Sequence, residues 1–155
     1  MQTFLPYDDF AMTARCLDDK RLGKQRVETM QIMKVIYRKK VLGETNGAWF
    51  NHPVVLMWED YPWALFEYQI FICAEWDRRG FKDTCYLKTM DLLDAIPEEL
   101  QRQYEFPEWL GDYDFHEAHR SNLVKKSPTH YGKLWENWLP EEDLPYVWPK
   151  KEEVI

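Results

Sequence analysis

Residues 19–38 read DKRLGKQRVETMQIMKVIYR, twenty positions with no proline and a single glycine, Gly23. Leu22, Val27, Met30, Met33 and Tyr37 recur at near-helical spacing, which predicts one long helix with those side chains on its core face. The same stretch is cationic. Residues 15–40 carry nine Lys and Arg (Arg15, Lys20, Arg21, Lys24, Arg26, Lys34, Arg38, Lys39, Lys40) against three acids, in a 155-residue chain of formal charge −7. A second basic island follows at residues 119–133, with Arg120, Lys125, Lys126 and Lys133 and no acid, whereas residues 41–118 hold sixteen acids against five bases. Charge segregated in this way suits a polyanionic partner, because Lys and Arg contacts to phosphate supply most of the sequence-independent affinity for nucleic acid. Two solvated helix faces would look the same from composition alone. If the first and last helices pack together, the islands form one groove.

The rest of the chain also reads as helices. Residues 1–6 are expected to be extended or looped, and Asp8-Asp9 caps a short helix running toward Leu17. Residues 43–48 read as loop. Asn51-His52-Pro53 then provides a cap with proline in the first turn. Residues 62–80, PWALFEYQIFICAEWDRRG, predict a second long helix opened by Pro62 and stopped by Gly80. Trp58, Trp63, Phe66, Phe71 and Trp76 are its expected core contribution, together with the short helix before it. Asp83 or Thr84 would cap a helix over about residues 86–95, and residues 97–113 are linker or short-helix material. Asp114 would cap a last helix ending at Lys126 before Ser127-Pro128. Residues 139–155, rich in proline and acid, should wrap the surface. There is no strand pattern and no repeat, so the expectation is an all-α, compact single domain with an extended N-terminal segment and a proline-rich tail.

Bulk properties exclude several classes. The hydrophobic content of 45%, with 16% aromatic residues, is enough for a core without staples. Three cysteines (Cys16, Cys73, Cys85) are an odd number without C-x-x-C spacing and read as buried thiols in a reducing compartment. No run approaches the roughly 18 apolar residues of a membrane span, and the N-terminus lacks a signal-peptide pattern. A cytoplasmic monomer is the expectation. With neither a G-x-S-x-G elbow nor a glycine-rich phosphate loop, serine hydrolases and mononucleotide-dependent enzymes are disfavoured.

Arg21, Lys24, Gln25 and Glu28 stand at i, i+3, i+4 and i+7, on one helix face. A carboxylate among cations stays ionised, and beside a sugar it can stabilise an oxocarbenium-like centre or move a proton. An ordinary Lys24–Glu28 surface pair gives the same spacing. His116, Glu117 and His119 form H-E-x-H, with His130 further on, but zincin sites need histidines at i, i+4, so phosphate or base contacts are expected instead of a metal. His130, Tyr131 and Trp135 follow the second basic island, where aromatic groups can stack on or wedge between bases.

These residues carry a family resemblance. HPVVLMWEDYPWALFEYQIFICAEWDRRGFKDT (52–84), MDLLDAIPEEL (90–100), GDYDFHEAHRSNLVKK (111–126) and SPTHYGKLW (127–135) resemble, in order and spacing, the pyrimidine-dimer DNA glycosylases of the phage endonuclease V type. The match spans residues 52–135 and is weaker over the first long helix. The resemblance implies a compact helical fold that acts on damaged duplex DNA, extrudes a base and cleaves its N-glycosidic bond, often with strand cleavage at the abasic site. It implies no cofactor and no metal.

It also implies an N-terminal α-amine that attacks C1′ and a helix glutamate that assists. An α-amine suits the role because such groups titrate at roughly 7.7–8.0 and keep a neutral fraction at cellular pH. Strict register sets Gly23 against the family's glutamate, and Glu28 is assigned because it is the only acid on that helix beyond the first turn. Family members expose a small second residue, whereas Gln2 is bulky, so Met1 is expected to supply the amine. Water activated by Glu28 in a monofunctional glycosylase, and loss of the lyase chemistry, are the two other routes left open. The expected DNA contacts are Arg21, Lys24, Arg26, Arg120, Lys125, Lys126, His116, His119, His130 and Tyr131. Two alternatives stay open: a non-catalytic nucleic-acid-binding protein of the same fold, and an acidic protein-interaction module that docks through Tyr146 and Trp148.

Overall fold

The computed structural model describes residues 1–137 and 143–149. Seven α-helices run in the order α1 (Phe10–Cys16), α2 (Asp19–Lys40), α3 (Pro53–Trp58), α4 (Pro62–Arg78), α5 (Tyr86–Asp94), α6 (Glu98–Gln101) and α7 (Tyr113–Lys126), and a π-type turn (Pro128–Gly132) follows. No strand forms among the described residues. The fold is all-α, as the periodicities require.

The helix starts follow from short polar side chains that satisfy otherwise orphaned amides. Asp9 accepts from the Met12 amide, Asp18 from Arg21, and the His52 ring from Val54. Pro53 and Pro62 occupy first turns, where their missing N–H leaves nothing unpaired. After α4, Gly80 adopts φ +94°, the left-handed conformation that ends a helix at no Cβ penalty. The last cap differs from expectation: α7 starts at Tyr113 and is capped by Asp112, whose side chain accepts from the Asp114 amide.

α2 is the central helix and packs on α4 and α5, while α1 lies on α4. Its buried face overlaps the one read from apolar spacing only at Leu22 and Met33. Val27 is exposed and Met30 and Tyr37 are half-buried, whereas Leu22, Gln25, Thr29, Ile32, Met33, Val35 and Ile36 are buried. The face is rotated because two polar residues, Gln25 and Thr29, lie inside it, and an apolar count overlooks them. On α4 a similar correction applies to Phe71, which is exposed, while Trp63 and Trp76 are half-buried and Trp58 and Phe66 are core. Trp76 stacks on Phe81 at 4.2 Å and lies so close to Gly23 that a Cβ there would meet the indole at 2.9 Å. Gly23 therefore serves helix packing. Cys73 and Cys85 are buried and Cys16 is half-buried, where burial pushes its thiol up to about 12.

Of the tail, residues 143–149 are described and non-helical, and the remainder of 139–155 lies outside the described residues. Leu144 is tied to α7 by its amide to Ser121 Oγ (3.1 Å) and its carbonyl to Asn122 Nδ2 (2.9 Å). Tyr146 then packs on His119, and Trp148 on His52. The aromatic residues expected to dock on a partner are half-buried against the chain's own body. No helix among the described residues is long and apolar enough to cross a membrane.

Candidate active site

The chain begins inside the protein. Residues 2–6 are all buried although they belong to no helix. A buried extended segment outside a sheet must find partners for its backbone polar groups elsewhere, and here side chains supply them. The Gln2 amide donates to Glu28 Oε2 (3.3 Å), the Phe4 amide to Gln25 Oε1 (2.9 Å) and the Leu5 amide to His119 Nδ1 (2.9 Å). In the other direction, the Gln2 carbonyl accepts from Gln25 Nε2 (3.0 Å), the Phe4 carbonyl from the Tyr68 hydroxyl (2.8 Å) and the Pro6 carbonyl from Arg120 (2.6 Å). Trp58 Nε1 donates to Thr3 Oγ1 at 2.9 Å. Four helices thus fix the first residues and deliver Met1 to one place.

That place is a cavity of about 300 Å³. Met1 and Gln2 line it with Glu28, whose carboxylate also accepts from Gln25 Nε2 at 3.1 Å. Arg21, Lys24, Gln25 and Glu28, spaced on one helix face, all line it, joined by Lys20 and by Lys126 from α7. The two basic islands therefore meet here. Tyr146 and Trp148 of the tail close another side. Burial, and then the positive N-terminal amine, hold the His52 ring below its ordinary pKa. His52 had been read from sequence only as a cap.

Ion pairing concentrates the free charge. Arg26 pairs with Asp83 (2.7 Å), Arg38 with Glu44 (2.5 Å), Lys39 with Glu59 (2.5 Å) and Lys40 with Asp60 (3.3 Å), so the C-terminal half of the α2 island is largely neutralised. At the pocket end Arg21 keeps a 3.3 Å contact with Asp18, and among the described residues Lys20, Lys24 and Lys126 make no ion pair. Nor does any ion pair join Lys24 to Glu28 among those residues. Lys125 is exposed beside Lys126.

Several residues expected at the DNA surface lie elsewhere. Arg26 is half-buried, bound to Asp83 and seated over the Trp76 ring at 4.5 Å. Arg120 is 3% exposed and holds the Pro6 carbonyl. His116 donates from Nδ1 to the Leu5 carbonyl (2.7 Å) and accepts at Nε2 from the Gly111 amide (2.9 Å), so both ring nitrogens are committed. Tyr131 is fully buried, stacks on Trp135 at 5.3 Å, donates its hydroxyl to Asp18 and accepts from the Asp18 amide at 3.0 Å. It secures the start of α2 and offers no face to a base. His130 is exposed, with Nε2 on the Cys16 carbonyl at 2.9 Å, and is not part of the pocket wall. Cations and aromatics are ambiguous in sequence, since the long-range partners that draw them inward are invisible there.

Burial of His119, and then the neighbouring His116, lower its pKa to about 3, so it stays neutral as the acceptor for Leu5. Because the native value lies below the unfolded one of 6.5, its contribution is complete above pH 6.5 and is lost as pH falls toward 3. Stability should fall by about 1.4 kcal/mol per pH unit from this group within that window. Urea unfolding at pH 7.5 and 5.5 measures it, and the His119→Gln variant should show a shallower dependence.

A second cavity, about 370 Å³, lies between α4 and α5 and is lined by Cys73, Asp83 and Tyr86 among others. Of its two carboxylates, Asp83 accepts from Arg26 and from the Cys85 and Tyr86 amides, and Asp77 accepts from the Asp83 amide at 3.2 Å. Burial raises the Cys73 thiol far above its ordinary range.

Fold and pocket together define a helical protein with a largely cation-lined cavity beside its N-terminal residue. The family model for pyrimidine dimer DNA glycosylases matches residues 1–89, more than half of the chain, and the chain belongs to that family. The matched span contains the threaded N-terminus, all of α2 and Glu28, and DNA is the substrate class of the family. Searches of curated proteins and of solved structures found no match.

Proposed function

We propose that this protein excises pyrimidine dimers or another altered base from duplex DNA, using its N-terminal amine as nucleophile and Glu28 as proton acceptor, with abasic-site lyase activity as the second half of the same reaction. The observation that carries this reading is the bond from the Gln2 amide to Glu28 Oε2 (3.3 Å), which sets the Met1 amine one residue from a carboxylate inside a cationic pocket.

The chemistry follows from that placement. The neutral amine attacks C1′ of the sugar, and the C1′–N bond breaks with its electron pair leaving on the base, which takes up a proton. Glu28 accepts the proton shed by the amine. The C1′–O4′ bond then breaks, O4′ takes the proton back from Glu28 and an iminium, the Schiff base, is left at C1′; loss of a C2′ proton expels the 3′-phosphate by breaking the C3′–O3′ bond, which cleaves the strand. Arg21, Lys20, Lys24 and Lys126 hold the flanking phosphates, and Lys125 stands next to them. Base extrusion is cheapest at damaged sites, which suits an otherwise acidic body that grips DNA weakly elsewhere.

The test is incubation with duplexes that contain or lack a cyclobutane dimer. Dimer-dependent cleavage of the glycosidic bond followed by strand cleavage is expected, the detached pyrimidine staying joined to its neighbour through the cyclobutane ring, and glycosidic cleavage without strand cleavage would move the nucleophile to water activated by Glu28. The double variant Lys24→Ala, Lys126→Ala should weaken binding to every duplex. It should also flatten the dependence of log K on log salt by about 2, close to one per lost phosphate contact. An unchanged slope would remove these lysines from the interface.

A further inference from the structure

The loop between α2 and α3 ends in a turn that is anchored on one side and open on the other. Phe50 is 3% exposed, its amide donates to the Gly47 carbonyl (3.3 Å), and its carbonyl accepts from Lys39 Nζ (2.9 Å). The Arg38 guanidinium lies over its ring at 5.2 Å. A Cβ at Gly47 would meet that ring at 2.7 Å, so the turn closes only over glycine. With Phe50 drawn inward, Trp49 is turned out. It is 49% exposed at φ +72°, a conformation that residues other than glycine rarely adopt. An indole seeking burial would not be held in water, in an unfavourable backbone conformation, by a well-anchored turn.

Trp49 is also joined to the pocket. Its ring lies 5.4 Å from His52, His52 meets Trp148 edge-on at 5.9 Å, and Trp148 lines the cavity that holds Met1 and Glu28. A short series of rings thus runs from solvent to the N-terminal amine. His52 Nδ1 accepts from the Val54 amide at 3.0 Å, which orients its ring between the two indoles.

We propose that Trp49 stacks on the nucleobase left unpaired when the damaged duplex is opened, and that this contact discriminates damaged from intact DNA. The proposal rests on the reading of the Met1–Glu28 pocket as the glycosylase site. Lysines on phosphate position a duplex but carry no information about its bases. An exposed indole face replaces the stacking that an opened base has lost, whatever base that is. Discrimination therefore falls to the aromatic residue at the rim.

The test compares Trp49→Ala and Trp49→Phe with the parent protein by titration against a dimer-containing duplex and its undamaged counterpart, with 2-aminopurine opposite the lesion. Trp49→Ala should lose about tenfold in affinity for the damaged duplex, the factor for one base–aromatic stack, with little change toward the intact one. Trp49→Phe should retain most of the affinity, and only the parent and the Phe variant should quench the 2-aminopurine. Equal loss on both duplexes, or no loss on either, would overturn the proposal. The two readings separate cleanly. Damage discrimination that depends on Trp49, in a protein that forms no borohydride adduct, supports this proposal and removes the amine mechanism. Adduct formation with Trp49-independent discrimination does the reverse.

Discussion

Glu28→Gln is expected to lower the rate of glycosidic-bond cleavage in a dimer-containing duplex by roughly 10²–10⁴-fold, the usual contribution of a positioned proton acceptor. The amide keeps the size of the carboxylate, and its oxygen can still accept from the Gln2 amide and from Gln25 Nε2, so the N-terminal segment should stay seated. What it lacks is an oxygen able to take the proton from the amine. Single-turnover kinetics beside a thermal melt separate the two effects: rate lost at unchanged melting temperature is the predicted outcome. An equally large fall in stability would make Glu28 a structural anchor, and an unchanged rate would remove it from the chemistry.

The second large effect concerns Gln25, a buried amide that does the work a neighbouring strand would do. Its oxygen accepts from the Phe4 amide (2.9 Å) and the Tyr68 hydroxyl (2.7 Å), and its nitrogen donates to the Gln2 carbonyl (3.0 Å) and to Glu28 (3.1 Å). Gln25→Leu keeps the volume and removes all four bonds. It strands the Phe4 amide and the Gln2 carbonyl in the interior, each costing about 1–3 kcal/mol when left unmet. A loss of about 3 kcal/mol or more in urea unfolding is expected, together with loss of strand cleavage, because the amine would no longer be held beside Glu28. A variant as stable as the parent would mean that the remaining contacts of residues 2–6 suffice.

How far the sequence could be read depends on the range of the interactions involved. Helices announced by local chemistry were legible: Pro53 and Pro62 in first turns, Gly80 after α4, and Asp9 before α1 all act within a few residues of themselves. The cluster Arg21, Lys24, Gln25 and Glu28 was legible too, since helical spacing alone puts four side chains on one face. Threading of residues 2–6 was not, because apart from the Thr3 amide on Gln2 Oε1 the bonds that hold them reach other elements, up to 114 positions away in the case of Leu5 and His119. The fates of Arg26 and Tyr131 were hidden for the same reason. Their partners, Asp83 and Asp18, lie 57 and 113 positions away, and nothing local distinguishes a paired arginine or a buried tyrosine from one that faces DNA. His52 illustrates a residue with two duties, whose helix-capping pattern concealed its proximity to the amine.

The central claim is that the N-terminal amine performs the chemistry, and the most direct measurement is to trap and map the intermediate. The protein is incubated with a duplex carrying one abasic site in the presence of borohydride, and the adduct is digested and sequenced by mass spectrometry. A reduced sugar–amine link is expected on the N-terminal peptide, at the α-nitrogen of its first residue, with Glu28→Gln diminishing its yield. An adduct carried by a lysine such as Lys24 or Lys126, with the N-terminal peptide unmodified, would contradict it.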